Sequence, residues 1–162
     1  MSIFVNYDGI KGECSDPSHE EWMDVTDIKF GAGRSLTSAT STQGDRESSN
    51  AEITDLILAR HTDKATPKLF IESCCGTGKD VTIHLTKTGT GSGSDVYMEI
   101  NLKNALISNY SFAATDQATN RPKELLTLSF VDIEIKYTQY DEDGIATAPV
   151  AVGFNTATNT KK

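Results

Sequence analysis

RPKELLTLSFVDIEIKYTQYDEDGIATAPVAVGFN, residues 121 to 155, decides the fold class. Leu126, Leu128 and Phe130 put apolar side chains at even positions; Val131, Ile133, Ile135 and Tyr137 put them at odd ones. Strand side chains alternate between faces, so the two runs cannot point the same way in one regular strand. The phase change between Phe130 and Val131 requires a bulge or a sharp bend, or else two different surfaces to face. An Asp141-Glu142-Asp143-Gly144 turn and a short closing strand complete the stretch, and none of it looks catalytic. A strand with two apolar phases implies a barrel, an assembly, or both.

Upstream, the pattern stays mostly β. Ile3, Val5 and Tyr7 alternate and run into Asp8-Gly9, a turn pair. Trp22 to Phe30 is β-prone but changes phase near Asp27. Residues 31–50 are polar apart from Leu36 and read as a long loop, of a length that is usually functional or disordered. Glu52 to Arg60 resumes strand character. Thr66 is a candidate N-cap, Pro67 fits the first helical position, and Gly76 stops a short helix over about 66–75. Leu69 and Phe70 are expected to plug one end of a barrel. Val81, Ile83 and Leu85 alternate, a Gly-Ser-rich hairpin follows, and Met98, Ile100 and Leu102 alternate in turn, extended by Ala105 to Ile107. The fold class is therefore mainly β: a small barrel of two packed antiparallel sheets with one short helix on its side. Residues 1–162 read as a single domain with a flexible tail at 156–162.

A chain of 162 residues has room to bury roughly 70% of its unfolded surface. Its formal net charge of −8 argues against nucleic-acid binding, which needs clustered Lys and Arg. The N-terminus lacks a basic segment followed by an apolar run, and no stretch approaches the ~18 apolar residues of a membrane span. The expectation is a protein folded in the cytoplasm and not inserted in a membrane. Three cysteines, two of them adjacent, imply no disulfide framework.

Candidate chemistry is weak throughout. Gly76-Thr77-Gly78-Lys79-Asp80 has the wrong spacing for a phosphate loop, and Asp80 would repel phosphate. The Asp141 turn lacks a calcium loop's third acidic ligand and its closing glutamate; a solvated turn using Gly144 explains it better. His19, His61 and His84 are dispersed, with His84 expected in solvent and His61 near enough to Asp63 for mutual orientation. Cys14, beside Glu13 and Asp16, is disfavoured as a thiolate by like charge. No constellation supports an enzyme, a cofactor or a metal site. A monomeric barrel binding a small ligand is the alternative, disfavoured because so small a barrel fills with Leu, Ile and Val.

A set of short motifs runs through the chain in order: Lys11-Gly12-Glu13-Cys14 with Asp16 and His19, Trp22-x-Asp24-Val25, Phe30-Gly31 and Asp63-Lys64-Ala65-Thr66-Pro67-x-Leu69. Ile107 to Ser111, Asn120-Arg121-Pro122, Tyr137…Asp141-x-Asp143-Gly144 and Gly153-Phe154-Asn155 close it. This ordered set resembles the haemolysin-coregulated protein family of type VI secretion. The first motif is similar to the family's Gly-Glu-Ser…Asp…His signature, with cysteine where serine is commoner, and Phe154 stands where tryptophan is usual. The resemblance implies a Gram-negative source and a homohexameric ring, stacked into a tube inside a contractile sheath behind a spike trimer. It also implies export without a signal peptide and small effectors carried in the lumen. On that reading Lys29 is the candidate lumen contact, and Arg34, Asp45, Arg46 and Glu47 are candidates for ring stacking. Val131, Ile133, Ile135 and Tyr137 are the candidates for the subunit interface, since ring closure needs a heterologous contact.

Overall fold

The computed structural model describes residues 1–36, 49–89, 93–116 and 119–162. Among them are strands β1 (Ser2–Tyr7), β2 (Met23–Val25), β3 (Asp27–Lys29), β4 (Ala32–Gly33), β5 (Glu52–Ile53) and β6 (Leu56–His61). Helix α1 (Thr66–Cys75) follows, then β7 (Lys79–Thr88), β8 (Ser94–Ala113), β9 (Lys123–Ser129), β10 (Asp132–Tyr137), β11 (Val150–Asn155) and β12 (Thr160–Lys161). One sheet runs in the order β12-β11-β10-β8-β7-β1-β2, and the far half of β8 carries β9, β6 and β3 as the second. The architecture is mainly β, two packed sheets and one helix. Among the described residues the ladders do not close into a continuous barrel; bent strands carry the chain between the sheets instead.

The phase change at Phe130–Val131 is one of these bends. It separates β9 from β10, which lie in different sheets. Leu126 and Leu128 from the even run and Ile133 from the odd run all enter one core, with Val5, Leu58, Leu69, Ile83 and Ile100. The two phases thus serve a single interior rather than two surfaces. The phase change near Asp27 has the same cause: β2 pairs with β1, β3 pairs with β6, and the amide and hydroxyl of Thr26 both donate to the Ala59 carbonyl, at 2.8 and 2.9 Å.

A third bend was not read from the pattern. In β8, Ile100 and Leu102 are buried, and so are Ala105 and Ile107 one register later. Asn104 between them has φ 51°, and the Lys103 carbonyl accepts the Val131 amide at 3.1 Å, so two bends lie side by side.

The helix starts from Ala65, not Thr66. Asp63 Oδ1 accepts the Ala65 amide at 2.8 Å, while Thr66 Oγ1 accepts the Asp63 amide at 3.1 Å. Leu69 is buried as expected, but Phe70 is 54% exposed and plugs nothing; its ring meets Tyr110 edge-on at 5.9 Å. The polar segment 31–50 has ordered ends: β4 pairs with β5, and the Ser49 amide donates to the Ser35 carbonyl at 2.9 Å. Residues 156–162 fold back rather than trailing as a tail. The Thr156 amide donates to the Val131 carbonyl at 2.8 Å, β12 pairs with β11, and Lys162 Nζ reaches Asp132 at 2.7 Å. No helix among the described residues is long and apolar enough to cross a membrane.

Candidate assembly surface

Motifs far apart in the sequence meet beside the start of α1. The Glu13 carboxylate accepts the Lys64 amide at 3.2 Å and pairs with Arg121 at 3.0 Å, while the Glu13 amide donates to Asp63 at 3.3 Å. Beneath them Arg60 and Glu124 form a buried ion pair, and Arg60 also holds Asp63 at 2.6 Å. Thr66 Oγ1 donates to Glu124 at 3.1 Å and the Tyr110 hydroxyl donates to it at 2.7 Å. Burial first, and then the neighbouring Glu124, push the Tyr110 hydroxyl up to about 12. Glu124 is therefore fully engaged by structural donors, and this network joins β6, β9, β8 and α1 rather than performing chemistry.

Other titratable groups that stand out in the sequence have structural partners as well. Asp141 Oδ1 accepts the amides of Asp143 and Ile145 at 3.0 and 2.8 Å, and Gly144 supplies φ 76°, a local turn made by one carboxylate. His61 Nδ1 faces the Arg121 carbonyl at 3.0 Å, not Asp63. His84 is not in open solvent: its Nδ1 lies 2.9 Å from Nε2 of His19, a pairing that a separation of 65 residues conceals in the sequence. Burial is the main cause that raises the Cys14 thiol, ahead of the charges of Asp24 and Asp16; of these, only Asp16 was pointed to by the sequence. Among the described residues no group of three or more His, Cys, Asp or Glu side chains could hold a metal ion.

Lys29 is exposed on the outer face of the second sheet. Directly paired residues share a face, so Lys29, Ile57, Thr127 and Asn109 form one row across it. Arg34 is exposed just beyond β4, whereas Asp45, Arg46 and Glu47 lie outside the described residues. Of the four candidates in and just before β10, Ile133 belongs to the core, and Val131 and Ile135 are half-buried; Tyr137 is 51% exposed.

The ladder with β11 extends that surface. Val152 pairs with Ile135 and Val150 with Tyr137, so the inward face of β10 and β11 continues as an apolar flange past the core, with Val152 52% and Val150 69% exposed. Phe70, Ile71 and Phe112 are exposed on α1 and β8, giving a second apolar area on different elements. The sequence reading named Ile135 and Tyr137 but missed the β11 half of the flange and the whole of the second area. The alternation of Val150, Val152 and Phe154 was visible, but its exposure depends on where the core ends.

The sequence model of the family described as "Type VI secretion system effector, Hcp" matches residues 4–137. The chain belongs to the Hcp family. Protein hcp1 of Pseudomonas aeruginosa is 27% identical over 163 residues, covering 98% of this chain and 97% of that protein. Two solved structures share the Hcp fold at lower identity. One, described as a type six secretion system protein, superposes with a TM-score of 0.90 at 21% identity over 99% of each chain. Hcp1 from Salmonella typhimurium superposes at 0.77 and 19% identity, over 99% of this chain and 98% of that one. This Hcp family member thus exposes two separate apolar areas, one on β10 and β11 and one on α1 and β8.

Proposed function

We propose that this chain is a structural subunit of the type VI inner tube, six copies closing into a ring and rings stacking into a tube. The observation that carries this is the pair of unlike apolar areas, the β10–β11 flange and the α1–β8 area. A closed ring needs two different surfaces on each subunit, one meeting the other on its neighbour. Exposed apolar groups in such numbers are costly on a permanent monomer. The interior is filled by Val5, Ile83, Ile100, Leu126 and Leu128, which favours a subunit over a ligand-holding barrel.

Within this reading the Lys29 face lines the lumen and contacts small effectors. Arg34, with Asp45, Arg46 and Glu47, supplies the charges for stacking, and Tyr137 with the half-buried Val131 and Ile135 leads the subunit contact; Ile133 supports them from the core. The sheath surrounds the tube and the spike trimer caps it. Native mass spectrometry tests the ring. The expected mass is near six protomers, and the double variant Tyr137→Asp, Val152→Asp is expected to be monomeric with an unchanged far-ultraviolet dichroism spectrum. A stable wild-type monomer at micromolar concentration would overturn the proposal. Removing Thr37 to Ser49 should leave rings intact and shorten tubes; loss of the ring itself would refute the stacking role.

A further inference from the structure

The segment between Gly12 and Trp22 covers Phe4, which points away from the core on β1. His19 anchors it. The His19 side chain is 1% exposed, stacks on Phe4 at 4.4 Å and meets Trp22 edge-on at 4.9 Å. Its Nδ1 lies 2.8 Å from Asp16 Oδ1, and its Nε2 lies 2.9 Å from His84 Nδ1 on β7. His84 Nε2 in turn faces Glu99 of β8 at 3.6 Å, and Lys136 of β10 reaches the same carboxylate at 3.8 Å. Asp16 also accepts from the Ser18 amide at 3.0 Å and from Ser94 Oγ at 3.1 Å.

We propose that Asp16, His19, His84 and Glu99 form an acid-sensitive latch that holds the segment on the first sheet and releases it when the histidine pair takes up a second proton. The argument is a count of donors. With both imidazoles neutral, His19 donates from Nδ1 to Asp16, and its Nε2 accepts from His84 Nδ1–H. The first added proton goes to His84 Nε2, where Glu99 faces it, and leaves the bond between the rings intact. The second must go to His19 Nε2. Two donors then confront each other, and two cations share a site in which His19 is fully buried and His84 mostly so.

The charged groups around the pair set the direction. Burial is the main cause that lowers His84 below the ordinary imidazole value of 6.5; Glu99 opposes it, and the charges of His19 and Lys136 add to it. A histidine held down in the folded state binds fewer protons than in the unfolded chain. Its contribution to stability is therefore present above about pH 6.5 and declines as the pH falls through the window down to the folded value. Asp16 is held below the carboxylate range chiefly by its bond to His19, so its own contribution fails only in stronger acid.

Trp22 is the single tryptophan, and its ring lies 4.7 Å from His84, so its emission reports on the latch directly. Fluorescence and pH-corrected amide exchange of the full chain, followed from about pH 7.5 to about pH 5, test the idea. The expected result is a change in emission together with a rise of about tenfold or more in exchange over 12–22, while β7 and β8 stay protected. In His84→Gln, whose uncharged amide can donate to neutral His19 or turn its oxygen to accept from protonated His19, the transition is expected to move toward the carboxylate range. An unshifted transition in that variant would overturn the proposal. Should the variant not fold, wild-type exchange decides alone: no preferential opening of 12–22 refutes the latch.

Discussion

Glu124 shows how a residue's role can hide in plain view. In the sequence it is one carboxylate in an alternating strand; in the fold it is buried and accepts from Arg60, Thr66 and Tyr110. A charge so placed is tolerated only with its partner present. Glu124→Gln removes the charge and leaves the Arg60 guanidinium less compensated, at an expected loss of about 3–5 kcal/mol. Urea unfolding measures it, and a loss below about 1 kcal/mol would mean that water already screens the pair. Asp132 is a gentler case. Lys162 Nζ and Asn155 hold its carboxyl below the usual range, the lysine bond being the larger cause. Its stabilising effect is present above the unfolded carboxylate value and is lost as the pH falls through the lowered folded one. In Lys162→Ala, carboxyl NMR titration should find Asp132 returned part-way toward the ordinary range; an unchanged titration would deny the lysine its role in pinning β12.

Element by element, the sequence pattern held the strands and two of the three bends. A phase change in an apolar alternation is a local signal, and both at Asp27 and at Phe130–Val131 it marks a change of sheet. The bend in β8 left a weaker mark, because Asn104 and Ala105 interrupt the pattern without apolar bulk. Its signature is paired with Gly78: a Cβ there would lie 1.6 Å from Asn104 Oδ1. Gly78→Ala is therefore expected to cost about 1–3 kcal/mol as an overpacked contact. Adding Asn104→Gly, which removes the obstacle and suits φ 51°, should recover most of that loss. Thermal unfolding of the single and double variants checks the coupling, and simple additivity of the two changes would count against the contact. The helix was legible in existence and extent, since Pro67 and Gly76 punctuate it, but the placement of Phe70 was not, because a one-residue rotation about a helix decides burial.

For the whole molecule, charge and apolar surface oppose each other. Each subunit brings a formal net charge of −8 to any assembly, and the exposed flange brings Tyr137, Val150 and Val152. Salt screens charge over about 8–10 Å near physiological strength and leaves apolar contact intact. On the proposed tube reading, where charges make the stacking contact and the apolar flange the lateral one, raising the salt several-fold from a low-salt buffer should shorten stacks of rings in negative-stain images without altering ring mass. Longer stacks at high salt would show that repulsion between the acidic rings dominates the contact. The β character, the site of the helix, the Asp141 turn and the resemblance to the Hcp family were determined by sequence alone, since each rests on neighbours within a few residues or on ordered motifs. Only the tertiary structure decided that the two phases of residues 121–137 share one core, that His19 meets His84, and that the apolar face of β10 and β11 runs beyond that core. Each depends on contacts between distant strands, where a bend of one residue chooses the face and the end of the core chooses the exposure. The stretch that implied a barrel or an assembly thus makes a sheet corner inside the chain, and leaves the flange exposed.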